Sequence, residues 1–368
     1  MNPVLTPGSL SELVDAVRSA PRVVPVGGGT KPRLSAAPGI RIRTSRLSGI
    51  VEYEPDEFTV TARAGTPIRE LVAVLAAKRQ HLPFDPPLGD AGATLGGTVA
   101  AGLSGPGRFR FGGVRDFILG VRFVDGSGRL LRLGGKVVKN AAGFDLPKFL
   151  CGSLGRFGVL GEMTFKVFPR PESTRTLRLH AATPAERLRI ITVAGRSRWE
   201  PDALEGAVDG FDVWMRLAGP AKALDAISRE VLSQFPGDPM DTGEAGTEAE
   251  AEAVWSGFRE FHWAHAGGIL IKVPVSPAVT LPLHLALDGL PGTRVQIGAG
   301  GHVAWVSLES ADAHALVPLG DVLARLRLGG LTVRGNAPLW VNRGSRPAVE
   351  TAVKLALDPV NRFPPLDS

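Results

Sequence analysis

The sequence predicts an α+β protein of two domains, a Gly-rich, turn-punctuated N-terminal unit followed by a smaller α+β unit. Three observations carry this. At 368 residues the chain exceeds a usual single domain of ~100–200 residues, and with 44% hydrophobic and 21% charged residues it can build cores and is not a disordered chain. Its 46 Gly and 30 Pro break it into short β-type runs and amphipathic helices rather than into any fibrous period. Composition then changes after Pro169-Arg170-Pro171, so one domain is drawn over 1–170 and a second over 171–330.

Each element has a local reason. Ser9 followed by Glu12 is a capping-box signature, and Leu10, Leu13, Val14 and Val17 lie on one helical face, predicting a helix that ends before Pro21. Short β-type runs follow at 22–26, 41–43, 50–53 and 58–63, each bounded by Gly or Pro. A second helix is predicted from Thr66, with Pro67 in the first helical position and Ile68, Leu71, Val72 and Leu75 on one side. The stretch 89–113 is Gly-rich and nearly uncharged, which suits backbone laid against a ligand. Asp125-Gly126-Ser127-Gly128 joins two strands as a hairpin, because these residues tolerate positive φ. A short helix near 146–150 and a strand over 159–168 complete the first domain. In the second, strands are predicted at 176–180, 213–217, 269–275 and 303–308. The segment 237–253 carries six acidic residues and few large apolar ones, and reads as a mobile surface segment before a helix over 254–262.

Several function classes are excluded. A net charge of +6 spread along the chain does not imply nucleic acid. The one cysteine, Cys151, cannot form an internal disulfide, and without any C-x-x-C pair the chain does not itself hold a Cys-ligated zinc or an iron–sulfur cluster. Neither a signal peptide nor a membrane-length apolar run is expected, which points to a cytoplasmic protein without direct membrane insertion. No G-x-G-x-x-G lies between a strand and a helix, and no phosphate-loop or serine-elbow motif occurs; Gly152, Gly155 and Gly158 follow a helix and precede a strand, the reverse of the Rossmann order.

Two glycine clusters carry the chemistry. Val26-Gly27-Gly28-Gly29-Thr30-Lys31 reads either as a Gly-rich turn or as an anion nest with a hydroxyl and an ammonium beside it. In Gly92-Ala93-Thr94-Leu95-Gly96-Gly97-Thr98 a helix begins with an almost bare first turn, which can set its dipole against a phosphate. Together they would clamp the two phosphates of a dinucleotide.

The run from Val26 to Arg170 resembles the vanillyl-alcohol-oxidase, or PCMH-type, FAD-binding family. VGGGTK matches the family's first pyrophosphate loop and GATLGGTVAAGLSG its second, while FGGVRDFILGVRFVDGSGRLLR and GSLGRFGVLGEMTFKVFPRP resemble the strand pair and the segment that close the site. The stretches IVEYEPDEFTVTARAGTPIRELVAVL, HLPFDPP and VVKNAAGFDLPKFLCGSLG are similar to the glycolate-oxidase branch of that family. The resemblance implies a PCMH-type FAD-binding domain of two α/β subdomains, followed by a smaller α+β cap domain. KLALDPVNRFPP is similar to the family's returning C-terminal segment, so 331–368 is expected to come back to the flavin domain, with Pro364-Pro365 replacing the usual Asn-Pro-Gly. FAD contacts are implied at Val26 through Lys31, at Gly92 through Thr98 including Ala93, Leu95, Gly96 and Gly97, at Ala101, Gly102 and Leu103, and near Val159. Thr30 stands where covalently linked members carry His, so the FAD is expected to be noncovalent. Cys151 reads as a small buried apolar residue.

The resemblance further implies hydride transfer from the α-carbon of a 2-hydroxy acid to the flavin, which needs a cation for the carboxylate and a base for the hydroxyl proton, both from the cap domain. No catalytic base is assigned and no metal site is expected. The His262 and His265 pair reads as a helix face and His302 as a turn histidine. Lys272 stands about where the resemblance places an Arg, and an ammonium is a poorer bidentate carboxylate ligand. Trp305 and Trp340 read as pocket wall or core. The implied function is the FAD-binding subunit of a glycolate oxidase-like complex, with a second flavoprotein subunit and an iron–sulfur subunit as partners and membrane contact only through them. A non-catalytic flavin-bearing scaffold or electron-transfer subunit, and a self-sufficient D-lactate-type dehydrogenase, are the alternatives.

Overall fold

The computed structural model describes residues 4–135, 145–240, 247–310, 312–344 and 348–367. The chain divides into two compact units, one of 1–104, 112–170 and 345–368 and the other of 105–111 and 171–344. Part of the stretch VVKNAAGFDLPKFLCGSLG and part of the acidic 237–253 segment lie outside the described residues.

The first unit opens with the helix Leu10–Ser19. Ser9 Oγ accepts from the Glu12 N–H at 3.1 Å, and the Glu12 carboxylate takes the Gly8 N–H at 2.8 Å, one residue further back than a capping box requires. Its buried Leu13 and Val17 share a core with Val23, Ile42, Val124, Val159 and Phe363. A parallel sheet sets Ile40–Arg43 between Val4–Leu5 and Val23–Val26. A five-stranded antiparallel sheet runs in the order Ile50–Glu54, Thr59–Arg63, Val159–Lys166, Ile118–Val124, Leu130–Gly134. The helix Ile68–Ala76 begins one residue later than predicted because Pro67 is extended, with ψ of 136°, and serves as the N-cap. At the hairpin, Asp125 Oδ1 accepts from the N–H groups of Ser127 and Arg129 at 3.0 and 2.8 Å, and Gly128 has φ of +74°.

The second unit holds two antiparallel sheets, Ala203–Gly206, Val213–Gly219, Ser173–Leu179, Gly237–Pro239 and Thr293–Gly298, Val303–Leu308, Ile269–Pro274, Gly330–Arg334, Trp340–Val341. One core joins them, with Leu177, Met215, Ile271 and Val306 from the strands and Ile190, Leu224, Leu283 and Leu319 from helices. Residues 331–344, which the sequence reading grouped with the returning segment, belong to this unit because Gly330–Arg334 pairs with both Ile269–Pro274 and Trp340–Val341. The helix expected over 254–262 begins earlier, as Thr247–Glu260: Trp255 Nε1 donates to Thr176 Oγ1 at 2.9 Å, and this packing outweighs the acidic composition of the first turns. Among the described residues no helix is long and apolar enough to cross a membrane.

Candidate functional site

The strand Val23–Val26 delivers the chain into Gly27, Gly28 and Gly29. A Cβ on Gly28 would lie 1.9 Å from the Gly92 carbonyl oxygen, and one on Gly27 would lie 2.4 Å from Thr94 Oγ1, so the two glycine segments touch through bare backbone. Gly29 has φ of +76° and open space beyond it. The N–H groups of Gly28 and Gly29 meet no described protein acceptor. Next to them the buried Lys31 places Nζ 2.9 Å from Thr30 Oγ1.

The second segment enters the helix Leu95–Ala101 through Thr94, its N-cap. The sequence suggests a first turn whose donors are free for phosphate, and here the structure differs. Leu95 N–H donates to Thr66 O at 2.9 Å, Gly96 N–H to Ala64 O at 2.8 Å, and Gly97 N–H to Thr94 Oγ1 at 3.4 Å. These three donors are satisfied inside the protein, as buried backbone requires. Gly96 is small for packing, since a Cβ there would lie 2.7 Å from Ala64 Cβ, whereas Gly97 opens toward Gly27.

A cavity lies between these segments and a third one. Val26 through Lys31, Thr94, Gly96, Gly97, Ala101 and Val159 line it. Gly92, Ala93, Leu95, Thr98, Gly102 and Leu103 are not among its lining residues. Ala93, Leu95, Thr98 and Leu103 are buried, Gly92 gives φ of +92°, and Gly102 ends the helix with φ of +62°. Thr98 Oγ1 has no hydrogen-bond partner among the described residues. The lining also includes Leu34, Thr44, Ala64, Leu154, Gly155 and Gly158, none of which was named as a contact from sequence. The signal for the last two was the Gly152, Gly155, Gly158 spacing, set aside for its reversed order. Gly155 is needed where the loop crosses Pro25, which would stand 3.1 Å from a Cβ.

Among the described lining residues Lys31 carries the charge, and two guanidiniums stand behind the lining. Burial lowers the Arg33 pKa, and burial reinforced by Arg33 pushes Arg156 down to about 10. Backbone donors without a described protein acceptor, an ammonium in the lining and glycine where a Cβ would collide fit the diphosphate of a dinucleotide.

In the second unit, Lys272 lies mid-strand opposite Trp305 and Leu331, and burial together with Arg108 pushes its ammonium down to about 8. His262 and His265 do not share a helix face, because the helix ends at Glu260 and Phe261 turns with φ of +57°. His302 is exposed at the end of the turn Ala299–Gly301. Trp305 is buried edge-on against Phe261 at 4.5 Å, and Trp340 lies under the Arg343 guanidinium at 4.2 Å. In the first unit, burial pushes the Cys151 thiol up to about 12.

A family described as "FAD binding domain" matches residues 2–134. Over 269 residues the chain is 36% identical to the glycolate oxidase subunit GlcE of Escherichia coli (strain K12), covering 72% of this chain and 69% of that subunit. The chain belongs to the GlcE family. Its cofactor is FAD, and it is a member of the FAD-dependent oxidoreductases. It is also 29% identical to the glycolate oxidase subunit GlcD of Bacillus subtilis (strain 168), over 42% of this chain and 33% of that one. With the D-lactate dehydrogenase of Archaeoglobus fulgidus it shares 30% identity over 55% of this chain and 47% of that enzyme. Of these last two relatives it thus spans between a third and a half. Two structures of alkyldihydroxyacetonephosphate synthase superpose with TM-scores of 0.69 over 97% of this chain, at 19% and 18% identity, covering 74% and 76% of those chains. At that identity the likeness establishes the PCMH-type fold.

Proposed function

We propose that this chain is the FAD-binding subunit of a glycolate oxidase-like complex, which oxidises a 2-hydroxy acid to the 2-oxo acid and passes electrons to a second flavoprotein subunit and an iron–sulfur subunit in the cytoplasm. The observation that carries this reading is the 36% identity to GlcE, spread over most of both chains. FAD, when bound, supplies the hydride acceptor. The residues from Val26 to Lys31 and from Gly92 to Leu103, together with Val159, hold it noncovalently, with the Gly28 and Gly29 N–H groups and the Lys31 ammonium on the diphosphate. The segment 92–103 contributes in two ways, Thr94, Gly96, Gly97 and Ala101 at the cavity wall and the remaining residues from behind it. Lys272 holds the substrate carboxylate as a point charge in place of an Arg fork.

Two experiments test the reading. Acid precipitation should leave a white pellet and a yellow supernatant containing FAD; a pellet that keeps its flavin absorbance overturns noncovalent binding. Anaerobic mixing of the purified chain with glycolate should leave the flavin oxidised until partner subunits are added, and then bleach it. The 30% identity to a D-lactate dehydrogenase favours, as second reading, a chain that oxidises its substrate alone. Rapid stoichiometric bleaching of the isolated chain by D-lactate would establish that second reading and remove the first.

A further inference from the structure

The helix Ala348–Leu357 buries one residue, and it is a lysine. Lys354 Nζ donates to Arg156 O at 2.7 Å, to Asp358 Oδ2 at 2.7 Å, and to the carbonyls of Phe363 and Pro364 at 3.2 Å each. Asp358 is buried as well, and its oxygens also accept the N–H groups of Arg362 at 2.8 Å and Phe363 at 3.0 Å. Arg156, whose carbonyl Lys354 holds, sits in the loop that lines the cofactor cavity. Its Nη1 donates to Leu34 O at 2.8 Å and to Leu154 O. Leu34 and Leu154 both line that cavity. A path of hydrogen bonds therefore runs from the C-terminal segment through one guanidinium to two walls of the site. Phe363 adds an apolar path, since it is buried in the same core as Val159, another lining residue.

We propose that residues 354–364 form a clip whose closure is coupled to FAD binding, with Lys354 as the positioning residue that sets the 154–160 loop through Arg156. An apolar side chain could fill the same volume at no desolvation cost, whereas a buried ammonium is favourable only while all of its acceptors are in place. The two shortest of these bonds, both 2.7 Å, reach the 154–160 loop and the helix end, so losing either leaves the three N–H groups with only the longer contacts to the C-terminal strap and one partner. The three segments close as a unit. Arg156 Nη1 holds the carbonyls of Leu34 and Leu154, two residues of the cavity lining, so a cofactor that fixes that lining also favours the closed clip, and the coupling is positive. Linkage then makes it reciprocal: FAD tightens the clip by the factor by which the clip tightens FAD.

This inference rests on FAD occupying the cavity, and hydrogen exchange on the full-length protein separates the two. Amides at 26–31 and 94–101 report the cavity, and those at 353–366 report the clip. FAD should slow both sets relative to the flavin-free protein, the clip amides by about tenfold or more. Slowing at the cavity with unchanged exchange at 353–366 overturns the clip and leaves the cofactor site standing. Unchanged exchange at the cavity removes both. Lys354→Met provides the second arm: FAD binding should weaken by about tenfold, with a less structured visible flavin spectrum in the folded fraction. A merely structural lysine would lower the melting temperature and leave affinity and spectrum as they were, and that result would sink the proposal. If Lys354→Met does not fold, exchange in the unaltered protein decides alone.

Discussion

The Cβ that Gly28 lacks would stand 1.9 Å from the carbonyl oxygen of Gly92. Two loops far apart in the chain thus meet through backbone alone, and the cavity wall they form depends on that contact. Gly28→Ala should push the loops apart, cost roughly 1–3 kcal/mol as an overpacking change and abolish FAD uptake. Gly210→Ala in the second unit is the control, since its Cβ meets nothing within 4 Å and only the strain of φ at +82°, about 1–2 kcal/mol. Flavin titration by fluorescence on both variants checks this, and equal FAD affinity in the two would show that the loop contact does not shape the site.

Because FAD binds the folded chain and not the unfolded one, excess cofactor should raise thermal stability. At ~100 times its dissociation constant it should add about 2.7 kcal/mol. A melting curve of flavin-free protein that does not move with added FAD would argue against a preformed cavity.

Lys272 gives a pH signature. Burial first, and Arg108 second, push its ammonium down to about 8, so it is charged below that pH and neutral above it. Substrate capture in the reconstituted complex should weaken as pH rises through about 8, where an ordinary lysine would still be charged. Lys272→Arg should move this loss to higher pH, and Lys272→Met should abolish reduction by glycolate while leaving FAD content unchanged. A Lys272→Met variant reduced at the normal rate would take Lys272 out of the site.

His180 lies between two carboxylates, with Nε2 2.9 Å from Asp238 Oδ2 and Nδ1 3.2 Å from Asp212 Oδ2. The hydrogen bond to Asp238 and then that to Asp212 raise its pKa. A raised folded pKa makes the charged pairing fully present at acid pH, below the unfolded value, and lost as pH rises through the folded one. NMR titration of the ring should give a midpoint above that of a free histidine, and Asp238→Asn should bring it down. A midpoint that Asp238→Asn does not move would assign the shift elsewhere.

Local chemistry made much of the molecule legible. Ser9 and Glu12 announce the first helix, Asp125 through Gly128 the hairpin, and the two glycine clusters the close backbone approach beside the cavity, because caps, turns and close backbone approach depend on residues a few positions apart. Periodicity also told strand from helix for most of the first unit. It failed for Thr247–Glu260, where the buried hydrogen bond of Trp255 to Thr176 holds a helix that its acidic composition disguises.

What a sequence cannot display is which partner satisfies a buried polar group. The first turn of Leu95–Ala101 reads as free donors, and only the fold brings the Thr66 and Ala64 carbonyls to them. Nothing in the residues around Lys354 marks it for burial, yet it is buried against the carbonyl of Arg156, 198 positions away. The sequence by itself determined the cofactor, the family resemblance and the glycine loops, all of which rest on short-range steric demands. Tertiary structure alone decided which donors of that first turn are taken up inside the protein and which carbonyls surround the buried Lys354 ammonium, because buried hydrogen bonds are allotted by long-range packing.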